Sequence, residues 1–166
     1  MNVYHVVNPD TLGSILSHGI KRASRGELGD EKDIIKTDHY LDFHRPQYLK
    51  AEGLSRDNNI YAYLADADKV IDIVDGQVVS VRTFVSTSEN PVVRIRIDPK
   101  RCFVSDLDTY DALKTAITNN EESAYQKLAD SYWKKVTKLA RYEAGAFRRP
   151  EVMITYDIDP IAIDLL

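Results

Sequence analysis

One cysteine, one tryptophan, two methionines, six prolines and seven glycines in 166 residues leave several structural classes without material. A disulfide framework is excluded, because Cys102 has no second cysteine to pair with inside the chain; a reducing compartment suits it. Cys102 lies in the apolar run from Arg101 to Val104, where a buried thiol is inert rather than nucleophilic. No stretch approaches the ~20 apolar residues that a membrane span needs. The opening MNVYHVVNPD has neither a basic nor an apolar leader region, so no membrane partner and a cytoplasmic location are expected. Also missing are GxGxxG after a strand, GxxxxGK[ST], HExxH and GxSxG. Their absence removes a Rossmann dinucleotide site, a P-loop NTPase, a zincin and the common serine hydrolase. It does not remove NAD, which other folds bind without a glycine fingerprint. The histidines are His5, His18, His39 and His44; Asp38 and Asp42 lie near the last two, but the spacing matches no usual zinc arrangement. They read as solvated loop residues, and no metal is expected.

What is present fits an ordinary globular chain. Apolar residues make up 43% and charged residues 29%, and the length suits one domain spanning 1–166 that buries roughly two-thirds of its unfolded surface. A net charge of −4 argues against a surface coated with phosphate-binding groups. Charge is nonetheless uneven: Lys134, Lys135, Lys138, Arg141, Arg148 and Arg149 face a single local acid, Glu143. Acids gather in Asp106–Asp111 and Asp157–Asp164.

Alternation in NVYHVV marks a strand over 2–7 with Val3, His5 and Val7 on one side. Asn8 as N-cap, Pro9 in the first turn and Gly19 as stop then frame a short helix with Leu12, Ile15 and Leu16 on its stripe. Lys21 to Asn59 is charged and weakly periodic, which predicts a long functional loop or lid with a short helix in RPQYLKAEGL. IYAYL (60–64) is a strand, DADKVIDIV a short helix capped by Asp66, and Asp75-Gly76 a turn. QVVSVRTFVS, PVVRIRID and RCFVSD read as β-type runs, DLDTYDALKTAI and ESAYQKLADSYWKKVTKLARY as helices. The second helix rests on Ala124, Leu128, Tyr132, Val136 and Ala140, spaced by four. EVMITYDI is a strand with Glu151 at its mouth, and IAIDLL closes the chain. The total is one α+β domain with strands at both chain ends.

Two separated stretches carry a family likeness. VYHVVNPDTLGSILSHGI resembles the opening of ADP-ribosyltransferase-fold proteins, in particular the DarT-type DNA ADP-ribosyltransferases, where a Y-H-[IV] strand leads into N-x-x-L-x-x-I-L-x-x-G-[LI]. Tyr4, His5, Asn8, Leu12, Ile15, Leu16, Gly19 and Ile20 fit that pattern. RRPEVMITYDIDPIAI resembles the closing A-E-[VF]-L-V-x-x-x-[IV]-P-x-x-[YA]-I, with Glu151, Val152, Met153, Pro160 and Ile163 in the matching places. The resemblance implies a mixed or antiparallel split β-sheet core with flanking helices, and a toxin-like transfer of ADP-ribose from NAD, used as substrate without a metal. The acceptor would be a macromolecule, single-stranded DNA or another nucleic acid, and an antitoxin protein would be a further partner.

The same likeness assigns roles. Glu151 is the catalytic carboxylate, placed to stabilise an oxocarbenium-like ribose as in glycoside hydrolysis. Arg56 or Arg45 is the arginine before the second strand, a fork suited to the pyrophosphate. His5 holds a ribose hydroxyl or the nicotinamide end, Asn8 and Leu12 lie in the same NAD-binding segment, and Tyr61 or Tyr63 stacks on nicotinamide. Period 2 puts both tyrosines on one side of their strand. His5, one of these tyrosines and Glu151 are therefore expected to converge on one cleft. The residues also allow plainer readings: Glu151 paired with Arg148 or Arg149 at a strand end, the tyrosines as core, and the basic run as the wet side of a helix. At the level of function the alternatives are an RNA 2′-phosphotransferase-like enzyme and a non-catalytic binding module on the same fold.

Overall fold

The computed structural model describes residues 1–64, 72–74 and 77–166. Seven strands form one open, wholly antiparallel sheet: β1 (Asn2–Val6), β2 (Ile60–Leu64), β5 (Val92–Arg96), β6 (Cys102–Asp106), β7 (Thr137–Lys138), β8 (Pro150–Ile154) and β9 (Ile163–Leu165). Their spatial order is β7-β6-β8-β2-β1-β5-β9. A separate hairpin pairs β3 (Asp72–Val74) with β4 (Gln77–Val79). The helices are α1 (Leu12–His18), α2 (Arg25–Leu28), α3 (Lys32–Phe43), α4 (Gln47–Ala51), α5 (Val81–Thr87), α6 (Leu107–Thr118) and α7 (Glu122–Lys135). The chain is thus α+β with an antiparallel core sheet.

Both faces of the sheet are covered, which is why its central strands are apolar on successive residues rather than alternate ones. Cys102, Val104, Val152 and Ile154 join Val3, Val7, Ala62 and Val93 in a first core, closed by Leu12 and Ile15 of α1. Phe103 and Met153 point the other way, into a second core with Leu41, Leu113, Tyr132 and Trp133 from α3, α6 and α7. Burial pushes the Cys102 thiol up to about 11, so it stays protonated.

The sheet has a seam. β6 and β8 pair over five positions, and so do β1 and β5, but among the described residues β1 and β2 pair only at Val3↔Leu64 and Tyr4↔Tyr63. Beyond Tyr4 the two halves are joined by the His5 ring instead, whose Nδ1 lies 2.6 Å from the Tyr61 carbonyl oxygen. A carbonyl only accepts, so Nδ1 carries the proton.

Gly19 ends α1 at a φ of 81°. A Cβ there would sit 1.9 Å from the Ile158 carbonyl oxygen, so glycine lets the chain pass close enough for the reciprocal Ile20–Ile158 hydrogen bonds at 3.0 and 2.8 Å.

Several elements depart from expectation. The segment 21–59 is not a loop: it holds α2, α3 and α4, the last inside RPQYLKAEGL. Its weak apolar periodicity has a physical cause, since the buried residues of α3 are Thr37, Asp38 and Leu41, two of them polar. The helix expected over 66–74 is contradicted at Asp72–Val74, which is a strand rich in β-branched residues; 65–71 and the 75–76 turn lie outside the described residues. QVVSVRTFVS divides into β4 and α5, because Ser80 Oγ accepts from the Thr83 amide and starts a helix there. The long helix expected through Tyr142 stops at Lys135. Val136 turns extended (φ −61°, ψ 128°), and Thr137–Lys138 pair with Val104 and Phe103.

Candidate active site

Glu151 is the second residue of β8 and lies opposite Ser105 of β6. Alternation along β8 sends it to the same side as Met153, toward the second core, and its side chain retains 13% exposure. One carboxylate oxygen, Oε2, accepts from Arg56 Nη1 at 2.5 Å and from Ser105 Oγ at 3.3 Å. The other, Oε1, takes no hydrogen bond among the described residues and is open to solvent.

Arg56, four residues ahead of β2, is 1% exposed. Its Nε donates to Asp38 Oδ1 at 3.1 Å and its Nη1 also donates to the Tyr132 hydroxyl at 3.0 Å. The guanidinium lies over the Tyr61 and Tyr110 rings at 4.5 and 4.3 Å. The loop holding it is tied to Asp42, which accepts from Ser55 Oγ, Arg56 N and Asp57 N at 2.6, 2.7 and 3.0 Å. Burial alone disfavours the Arg56 cation, but Glu151 above all, then Tyr132, Tyr61 and Asp38, push its pKa well above the usual value. Burial raises Tyr61 well above the phenol range as well, so the ring stays neutral.

A second arginine completes the cluster. Arg25, on α2, shares buried Asp38 through Nε at 2.8 Å, reaches Asp30 through Nη1 at 3.1 Å and lies over the Tyr61 ring at 4.2 Å. Tyr61 therefore has both guanidiniums against its ring, and its hydroxyl donates to the Arg56 carbonyl.

The structure brings Glu151, Arg56 and Tyr61 together but not His5. In β1, His5 alternates with Val3 and Val7 of the first core, whereas Glu151 alternates with Met153 of the second. Convergence of His5 and Glu151 on one cleft is thus not what the strands provide; the His5 ring sits at the seam, bonded to the backbone of β2. Burial lowers its pKa. Tyr63 shares the Tyr61 side of β2 and lies opposite Tyr4. Asn8 Oδ1 caps the turn after β1 by accepting from Asp10 N at 3.0 Å, and Leu12 packs on the first core. Arg45 staples its own loop, donating to Asp42 and to the Leu54 carbonyl, so Arg56 and not Arg45 is the arginine on Glu151.

Asp38, His39, Asp42 and His44 are not loop residues, and of the four only His39 is exposed. They lie on α3 and at its end, and both aspartates serve the arginine cluster. Among the described residues, no three His, Cys, Asp or Glu side chains are grouped to hold a metal ion. The basic run is largely neutralised: Arg148 and Arg149 pair with Asp108 and Asp111, Lys135 with Asp106, and Lys138 with Glu52. The arginines before Glu151 thus belong to α6 and not to Glu151.

An open hollow of about 470 Å³ lies between α3, α6 and α7, lined by Lys36, His39, Tyr40, Ile117, Asn120 and Tyr125; no residue of the Glu151 cluster borders it. Sequence reasoning missed Arg25, Asp38, Tyr110 and Tyr132. For Arg25 a signal existed, since Ser24-x-x-Glu27 is a capping box that fixes Arg25 at the first turn of α2.

No family model matches this chain, and no curated protein or solved structure matches it either. Among the described residues, no helix is long and apolar enough to cross a membrane.

Proposed function

We propose that this chain is an NAD-dependent ADP-ribosyltransferase with Glu151 as its catalytic carboxylate and Arg56 as the residue that positions it. The supporting observation is the division of labour within one carboxylate. Oε2 is held by Arg56 and Ser105 while Oε1 faces solvent with nothing bound to it among the described residues. One oxygen is thereby oriented by the fold and the other left available to a ligand.

In the proposed reaction the bond between ribose C1′ and the nicotinamide nitrogen breaks, and its electron pair leaves with nicotinamide. Positive charge develops on the ribose, Oε1 stabilises it, and the acceptor attacks C1′ and gives up its proton to the carboxylate or to water. The buried Arg56 fixes the carboxylate's orientation. His5 has a smaller part in this reading than the likeness assigns to it, as an anchor of the seam. A macromolecular acceptor, nucleic acid included, and an antitoxin partner belong to the same proposal. Lys135, Lys138, Arg148 and Arg149 each pair with a carboxylate, which lowers the net charge that the basic run offers a nucleic acid. These four also lie outside the Glu151 cluster, so they do not supply the several basic groups that a 2′-phosphotransferase would gather around one phosphate there.

A non-catalytic module is the second reading, favoured by the complete burial of Arg56 and by its occupation with Asp38, Tyr132 and Glu151. Incubation with NAD labelled in its adenylate half, in the presence of single-stranded DNA, RNA and cell lysate, separates the two. Transfer of label that disappears in Glu151→Gln supports the enzyme. No transfer with any acceptor favours the module, and transfer that persists in that variant removes Glu151 as the catalytic carboxylate.

A further inference from the structure

Resting on the NAD reading, we infer that Arg25 is the phosphate-binding residue of this site. Arg56, the arginine that the sequence offers for that role, is buried with its Nη1 and Nε turned inward to Glu151, Tyr132 and Asp38. Arg45 lies outside the Glu151 cluster, held by Asp42 and the Leu54 carbonyl. Arg25 differs from Arg56 in exposure, 17% against 1%, and from Arg45 in resting on the Tyr61 ring beside Arg56. Two of its three guanidinium nitrogens are fixed, Nε by Asp38 and Nη1 by Asp30. Nη2 has no hydrogen-bond partner among the described residues and is open to solvent.

Local structure aims it. The capping box between Ser24 and Glu27 starts α2, Gly29 ends it in the left-handed region, and the Arg25 amide donates to Asp57 Oδ1 at 3.0 Å. The four-residue helix therefore acts as a bracket for one side chain, with Tyr61 as a flat support 4.2 Å below the guanidinium. A fork held on two edges, with the third presented to water, matches an anionic oxygen better than a mobile lysine would, because little side-chain freedom is left to lose on binding. Arg25 and Arg56 rest on the same tyrosine ring, and Arg56 contacts Glu151, so one ligand can span Arg25 and Glu151. In the inferred arrangement the NAD diphosphate lies at Arg25 and its nicotinamide ribose at Oε1.

Calorimetric titration of the full chain with ADP-ribose, ADP and nicotinamide riboside tests this, using Arg25→Ala and Arg25→Lys beside the wild type, each checked by thermal melting. Affinity for ADP-ribose and ADP should fall roughly tenfold to a hundredfold in Arg25→Ala and less in Arg25→Lys, with nicotinamide riboside unchanged. Unchanged ADP-ribose binding in Arg25→Ala overturns the inference, and so does an equal loss for nicotinamide riboside, which would mark a collapsed site. If neither variant folds, Arg25 is structural and the inference falls. If the wild type binds none of the three ligands, the NAD reading itself fails.

Discussion

Glu151 and Arg56 form one unit, and removing either member has a calculable consequence. Glu151→Ala leaves Arg56 buried with Asp38 as its remaining carboxylate, and breaking a pair of this kind costs about 2–4 kcal/mol. Glu151→Gln keeps an acceptor for Nη1 and should cost no more than about 1 kcal/mol. Denaturant melts of the two variants check this ordering; equal loss in both would mean that the charge, not the hydrogen bond, holds Arg56. Each residue could be singled out through the likeness, but their pairing was not legible: the sequence offered Arg148 or Arg149 as partner for Glu151 and the pyrophosphate as partner for Arg56 or Arg45. Asp38 was not legible. A fully buried aspartate in a helix with Thr37 beside it looks like a polar face until Arg25 and Arg56 are seen closing over it.

At the scale of elements, α1 and α2 depend on single residues. Gly19→Ala places a Cβ 1.9 Å from the Ile158 carbonyl at a φ of 81°, so the Ile20–Ile158 bridge must open. A loss of about 2–4 kcal/mol is expected, read as a lower denaturant midpoint; a variant as stable as the wild type would contradict the close approach. Ser24→Ala removes the capping box of α2 and should cost about 1 kcal/mol, detectable as faster amide exchange over 25–29. Strands were the most readable elements, since β1, β2, β5, β6 and β8 carry β-branched or aromatic residues in short runs bounded by turn residues. α3 was hidden by its polar buried face, and the end of α7 by a spacing-of-four pattern that Val136 continues on paper while its backbone turns away to pair with β6.

For the molecule as a whole, the seam between β1 and β2 links stability to pH. Burial lowers the His5 pKa below its usual 6.5, so the unfolded chain takes up a proton that the fold resists. His5 therefore contributes stability that is fully present above about pH 6.5 and is lost as pH falls through its lower folded pKa. Melts between about pH 7.5 and 5.5 should show a smaller decline in His5→Gln than in the wild type; identical slopes would remove His5 from the account. The α+β class with strands at both chain ends was legible in the residue runs, but the two cores were not, and which face carries Glu151 depends on pairing register, set by partners far apart in sequence.

NAD is proposed to occupy the site of Glu151, Arg56 and Tyr61. Calorimetric titration of the wild-type chain with NAD up to millimolar concentration tests it most directly, with a double variant, Arg25→Ala and Glu151→Ala, as the control. Saturable binding to the wild type, lost in the folded double variant, is the predicted result. No heat of binding to the wild type, or the same affinity in both proteins, would contradict it.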